Sequence, residues 1–468
     1  MHQRLFIILT IASWWFISAC YKDKGNYTYQ DINKVGAAVG KDTFTVFQFD
    51  TLDITAQITQ TLPDPAGLTY KWVMYPGSQL TRRTLDSTSA HLHTMIPEAP
   101  GTYTLHLFIT DNKTGVTNIN KMTVKVLSAF NEGWLVLEDG STQADLSMIT
   151  PVNTVFHRIY SKSNPERPLP TGANMVDVTM RRSDQVIYVL SPAGGIQVDY
   201  TSFRVTTSFN DWFFAPPAVI KPELHIGYSG GEVIINNGRP YSFATMVPPP
   251  FKFGPAPVGS YYLAPFLMSS DIRGPIYYDT IAQGFRYPDP WTFDLYPLEG
   301  ANEFFTMKKV SKRLIQAAPG QGAQIACLFK NNNNDSLFVY TFQSEGEYSE
   351  PTGASPVKTA PGLGSTRVFC PSKMLPHIYY ASDNKLYLYD IPAQSARLAY
   401  TFPAGTEVRK MKVFPLTNRV LVVATHEAGK GKVYYFPVGA TGDFENNTYS
   451  KVFEGFDKIN DIAYKTGR

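Results

Sequence analysis

The sequence predicts an all-β chain, a β-sandwich followed by a β-propeller, and three observations carry that prediction. Charged residues make up only 17 % of the 468 and aromatic residues 14 %, including 28 Tyr and 30 Phe. Such a composition suits a half-buried pleated surface. Short apolar runs alternate with period two between turn-forming clusters, whereas few segments keep a helical period over ten residues. Beyond residue 131, apolar strand cores recur at intervals of roughly 42 to 53 residues, near the period of a four-stranded blade.

The chain opens with Arg4, a mostly apolar stretch from Leu5 to Ile17, and the run Phe16-Ile17-Ser18-Ala19-Cys20. A basic start, an apolar stretch too short to span a bilayer and small residues at its end describe a secretory signal over residues 1–19. Small residues directly before a cysteine make it resemble a bacterial lipoprotein signal. That resemblance implies lipidation of Cys20 and a tether over residues 20–36. Two or three acyl chains, at about 0.8 kcal/mol per buried methylene, hold a protein to a membrane almost permanently. The segment Cys20-Tyr21-Lys22-Asp23-Lys24-Gly25-Asn26-Tyr27-Thr28-Tyr29, followed by Asp31-Ile32-Asn33-Lys34-Val35, resembles the start of the PKD-like lipoproteins of Bacteroidetes-type bacteria. In those bacteria a Lys followed by acids directs lipoproteins to the outer face of the outer membrane. Lys22-Asp23 matches in part, Lys24 standing where a second acid is usual. A lipid-anchored protein of the outer membrane, facing the exterior, is expected.

The sandwich is expected over residues 37–127. Leu52, Ile54, Ala56 and Ile58 point one way, as do Tyr70, Trp72 and Met74, then Tyr103, Leu105, Leu107 and Ile109, then Met122, Val124 and Val126. Turns are expected at Pro63-Asp64-Pro65, from Pro97 to Gly101 and from Asp111 to Gly115. Trp72 is the expected core tryptophan of a third or fourth strand. Tyr70-Lys71-Trp72, Gly101-Thr102-Tyr103-Thr104-Leu105-His106-Leu107 and the turn Thr110-Asp111-Asn112-Lys113 resemble a PKD or immunoglobulin-like module. Such modules act as spacers or adhesion units, and the resemblance implies no catalytic role.

In residues 131–468 the strand cores begin near Trp134, Val186, Val233, Ile276, Ile325, Ile378 and Val420. Seven starts predict seven blades; because the repeat lies in spacing and not in identity, six or eight stay open. A pair of β-sandwich modules would explain the strands but not the single period. Shorter strands are expected from Lys385 to Tyr389 and from Lys432 to Phe436.

Several function classes lose ground on composition and context. A net charge of +3, spread without any Lys/Arg run, argues against a nucleic-acid partner. Cys327, in the apolar run Ile325-Ala326-Cys327-Leu328-Phe329, is expected as a buried free thiol; the compartment allows a disulfide, so pairing with Cys370 stays open, and two cysteines without a histidine cluster make no zinc site. His91 and His93 share one strand face, and His106 faces outward from a later strand; with no clear third ligand, no metal is expected. Gly227-Tyr228-Ser229-Gly230-Gly231 fits the G-x-S-x-G pattern, but Glu232-Val233-Ile234-Ile235 reads as a strand where a nucleophile elbow needs a helix. Asn331 to Ser336 reads as a hairpin turn without the spaced acids of a calcium loop. Asp199, Asp279 and Asp390 read as strand-end acids. No cofactor is expected.

The aromatic loops are the leading candidate for a binding surface. They are Asn210-Asp211-Trp212-Phe213-Phe214-Ala215-Pro216-Pro217, Pro248 to Pro255 with Phe251 and Phe253, Tyr261-Tyr262, and Arg286-Tyr287-Pro288-Asp289-Pro290-Trp291. Proline stiffens such loops, so rings can be displayed at little ordering cost. Flat rings beside Asp, Asn or Arg suit sugar rings or a protein partner, the alternative being that they pack between blades. The expected function is a non-catalytic surface lipoprotein that captures a glycan or peptide nutrient. The family resemblance implies a TonB-dependent transporter and a SusD-like lipoprotein as partners. The alternative is a propeller hydrolase or lyase acting on extracellular polysaccharide, which needs acids or a Tyr/His/Arg set converging at one mouth of the axis. An adhesion or scaffold subunit is the third reading.

Overall fold

The computed structural model describes residues 32–64, 67–76, 82–266, 268–269, 274–289 and 292–467. Their regular elements are nearly all strands, with one short helix, Ile159–Ser163, and a few 3-10 turns. The chain divides into two compact units. One holds the described residues up to 45 with 51–94 and 102–125, and the other holds 46–50, 95–101 and 126 onward.

The N-terminal strands form a five-stranded sheet in the order Thr43–Phe47, Thr117–Leu127, Gly101–Asp111, Leu68–Pro76, Arg83–Thr84. Two strand pairs accompany it, Val35–Ala38 with Gln57–Gln60 and Thr51–Thr55 with His91–Met95. Most of the predicted inward residues are buried, namely Leu52, Ile54, Ala56, Trp72, Met74, Leu105, Leu107, Ile109, Met122, Val124 and Val126, whereas Ile58, Tyr70 and Tyr103 are half-buried and Val73 is buried between Trp72 and Met74. Trp72 has no exposed surface, and its indole Nε1 donates to Ser89 O at 2.9 Å. It stands on the fifth strand rather than the third or fourth. Residues 35–38 already form a strand, and the run from Thr51 to Gln60 is two strands. At Ala56, between them, the backbone N–H turns to Ala90 O, so each half takes a different partner.

From residue 133 on, the described residues form seven consecutive antiparallel sheets of three or four strands, a β-propeller arrangement. The first contains Gly133–Asp139, Ala144–Ile149 and Val155–Phe156, and its innermost strand is the last of the chain, Lys458–Lys465. The second contains Met175–Arg181, Asp184–Ser191, Gly194–Asp199 and Val205–Ser208. The third contains Pro222–Tyr228, Gly231–Asn236 and Arg239–Ala244; the fourth contains Tyr277–Asp279, Gly284–Pro288 and Leu295–Pro297. The fifth spans 313–356, the sixth 369–401 and the seventh 407–456, each with four strands.

Every predicted core start falls on the second strand from the axis. That strand is flanked on both edges and covered on both faces by neighbouring sheets, so it is written as a continuous apolar run. Ile276 fits as well: Leu263 bridges Asp279, standing where an inner strand would be. The shorter runs form Lys385–Asp390 and Lys430–Pro437.

Closure of the ring is carried by pairing from Gly133 opposite Lys465 to Asp139 opposite Lys458. Asp461 on the closing strand is buried and accepts from Val176 N at 3.1 Å on one flanking sheet and from Lys410 Nζ at 3.0 Å on the other. Lys465, equally buried, donates to the carbonyls of Phe130 and Asn131 at 2.7 and 2.6 Å.

Candidate functional site

The sequence-predicted aromatic loops are largely core. Ser208 and Asp211 cap a 3-10 turn, Phe209–Trp212, which rolls Trp212 and Phe213 inward. Trp212, Phe213 and Phe253 are 4 %, 2 % and 1 % exposed and pack with Tyr188, Leu190, Phe209, Ile234 and Phe243. The Trp212 indole donates to Thr207 Oγ1 at 3.0 Å. Phe253 N donates to Trp212 O, Phe214 N donates to Phe253 O, and Gly254 N donates to Ser242 O. The two proline-bounded loops therefore cover the outer edge of the third sheet, which has only three strands. An open edge of unpaired backbone groups is what such a cover removes. The expectation that these rings are displayed is corrected on that ground.

Tyr261 is also buried, its hydroxyl donating to Pro257 O at 2.6 Å beneath the Arg239 guanidinium. Phe251 is half-buried under Arg181 and Arg182. Tyr262 is half-buried, receiving Lys221 Nζ at 2.7 Å and donating to Glu223 at 3.0 Å. Arg286 donates to buried Asp279 at 2.8 Å. Phe214 is exposed. Cys20 and Trp291 lie outside the described residues.

Among the described residues of the predicted set, Tyr287 lines a cavity. The cavity, of about 690 Å³, is lined by Tyr228, Met246, Tyr287, Phe293 and Tyr348, with Arg182, Asp289, Glu345 and Glu347 among its polar groups. They come from turns and adjoining strand ends on one face of the propeller, Tyr228 closing the strand Pro222–Tyr228 and Tyr287 standing near the end of Gly284–Pro288. Burial pushes the Tyr228 hydroxyl up to about 12, and burial followed by the nearby Glu347 carboxylate raises Tyr287. Both phenols are therefore neutral hydrogen-bonding groups at neutral pH. Arg182 donates to the carbonyls of Thr245 and Val247, both at 2.9 Å, and so holds the rim. Aromatic faces beside carboxylates can take hydroxyl donors or cationic groups.

Ser229 sits in this lining, in the hairpin turn between Pro222–Tyr228 and Gly231–Asn236. The strand–turn–strand context is the one read from sequence, and packing explains the glycines. A Cβ at Gly227 would meet Thr179 Oγ1 at 1.5 Å, and one at Gly231 would meet Phe243 O at 2.2 Å.

A cluster the sequence reading missed joins the second and third sheets. Arg181 forms a two-pronged ion pair with Glu232, Nε to Oε1 at 2.7 Å and Nη2 to Oε2 at 2.9 Å. Tyr188 donates to Glu232 Oε2 at 2.6 Å, and His225 Nδ1 meets Asp177 at 2.6 Å. The Tyr188 and His225 rings stack at 3.9 Å. His225 and Glu232 have no side-chain exposure, so this Tyr/His/Arg set is enclosed between sheets rather than open at a mouth. Its members lie on four strands, and no local spacing announces them.

The expected strand-end acids behave as such. Asp199 accepts from Thr201 N and Ser202 N, Asp279 from Ile281 N, and Asp390 from Ala393 N. Asn331 to Ser336 form the turn between two strands of the fifth sheet. Cys327 and Cys370 are both free and buried.

A model of the PKD-like family matches residues 20–168. A quinonprotein alcohol dehydrogenase-like protein from Bacteroides thetaiotaomicron shares the fold at a TM-score of 0.54 with 14 % identity, covering 92 % of this chain and 99 % of that one. The WD40 domain of SCAP from fission yeast aligns at a TM-score of 0.35 with 8 % identity over 61 % of this chain and 75 % of its own. A putative dipeptidyl aminopeptidase IV from Bacteroides ovatus gives 0.29 and 12 % identity over 69 % and 52 %. No curated protein matches. The N-terminal part is PKD-like and the remainder has the propeller fold.

Proposed function

We propose that this protein is a lipid-anchored outer-membrane accessory of nutrient uptake, binding a glycan or peptide without transforming it. The observation that supports the reading is the cavity of about 690 Å³ on one propeller face, where three tyrosines and a phenylalanine stand beside Asp289, Glu345 and Glu347. Aromatic faces suit the C–H side of a sugar ring, and carboxylates accept its hydroxyls. The same acids favour a peptide carrying Lys or Arg as the second ligand class.

The lipid anchor rests on the Ser18-Ala19-Cys20 sequence, and the partners, a TonB-dependent transporter and a SusD-like lipoprotein, rest on family resemblance. Purification in mild detergent tests the partners: co-purification with a transporter is expected, and recovery as a lone monomer opposes the reading. Titration of the native protein with glycan and peptide pools tests the ligand. Binding lost in Tyr287→Ala supports the cavity; turnover of any pool member by the purified protein overturns the non-catalytic role.

A further inference from the structure

The strands Thr51–Thr55 and His91–Met95 pair as an isolated two-stranded sheet in the N-terminal unit. Their inward residues, Leu52, Ile54 and Leu92, are buried. Period-two geometry then sends Asp53, His91 and His93 to the same outer face. The carboxylate sits between the two imidazoles, with Asp53 Oδ1 3.0 Å from His91 Nε2 and Asp53 Oδ2 2.7 Å from His93 Nδ1. One ligand atom from each of the three lies within 4.8 Å of the others. All three side chains are exposed to solvent.

We infer that Asp53, His91 and His93 form a binding site for a borderline divalent cation, zinc being the best match to two imidazoles and one carboxylate. At bond lengths of about 2.0–2.1 Å, tetrahedral ligand atoms stand roughly 3.3 Å apart. The three groups need only small side-chain rotations to reach that spacing, and their exposure leaves those rotations free. Three protein ligands leave a fourth position for water. The backbone beneath His91 is already set, since its carbonyl accepts from Ser87 Oγ at 2.6 Å and Ser89 Oγ at 3.0 Å. The bound ion would clip together two strands that, among the described residues, have no other partner in their sheet. Asp53 lies 38 residues before His91, so strand pairing, not motif spacing, assembles the set.

The test is calorimetric titration of the tag-free, chelator-stripped full chain with Zn²⁺, with Co²⁺ absorption as a second readout. One ion per chain, a tetrahedral Co²⁺ spectrum and a raised Tm are expected. Asp53→Asn and His93→Ala should each weaken binding by at least about tenfold, the scale on which zinc sites lose affinity when their supporting groups are removed, with unchanged circular dichroism. Absence of both heat and a Co²⁺ band in the parent chain overturns the site. So does equal affinity in the parent and both variants, which would assign the ion to other histidines.

Discussion

His225 Nε2 lies 3.3 Å from Glu232 Oε2, and neither side chain has any exposed surface. Burial opposes the charge on each, yet the hydrogen bonds and ion pairs win. His225 is raised from its ordinary 6.5 to about 9, against the cost of burial, by its bonds to Asp177 and Glu232. Glu232 is held at about 2, also against burial, by His225 and Arg181. Both stand on the third sheet, and their bonds to Asp177 and Arg181 on the second tie the two sheets together as a charged network.

Stability should follow this pair with pH. The raised His225 stabilises the fold fully below about 6.5, and its contribution fades as pH climbs through about 9. The depressed Glu232 stabilises above about 4.5 and fades as pH falls towards 2. The Tm should hold a plateau between those ordinary values and drop on the alkaline side, and His225→Gln should flatten the alkaline limb. An alkaline limb unchanged in that variant would refute the assignment.

Glu232→Ala removes the acceptor for Arg181, Tyr188 and His225 together. Breaking a buried ion pair from one side costs about 3–5 kcal/mol, because the remaining charge is left uncompensated. Urea denaturation should show a loss of that size.

Trp212→Ala should destabilise the propeller by about 3–5 kcal/mol, the range for a buried large aromatic. Phe214→Ala, two residues on and exposed, should change stability by less than about 0.5 kcal/mol. Similar stabilities for the two variants would contradict the packing of this loop.

Asp461→Ala should cost about 1–3 kcal/mol, since it leaves Val176 N and Lys410 Nζ without their shared acceptor. Removing residues 458–468 should have a larger effect, abolishing cooperative unfolding, because the first sheet loses its innermost strand. A truncated chain that melts like the parent would show that closure is dispensable.

Native protein should not react with a thiol reagent at pH 8. Burial raises Cys370 to about 11 and Cys327 further still, so neither offers thiolate or access. Both should react once denaturant is added, and mass spectrometry without reductant should find no bond between them.

Much of the fold was legible in the sequence because each signal was local. Leu105, Leu107 and Ile109 alternate within one strand, and the runs at Trp134, Val186 and Val420 are continuous because second strands are enclosed on both faces. The aromatic loops were harder. Trp212-Phe213-Phe214 carries no mark of direction, and the 3-10 turn Phe209–Trp212 sends the first two rings inside while the third stays outside. Tyr287 and Tyr348 meet in one cavity from different sheets, and Asp177, Arg181, Tyr188, His225 and Glu232 meet from four strands.

The alternation that makes strands and the period that makes sheets are local properties of the chain, each written over a few residues by the choice between burial and water. Which rings end inside, which carboxylate faces which imidazole, and which strand closes the ring were decided by tertiary structure. Those outcomes depend on contacts between segments tens or hundreds of residues apart, and only the pairing of strands and the stacking of sheets brings such segments within reach.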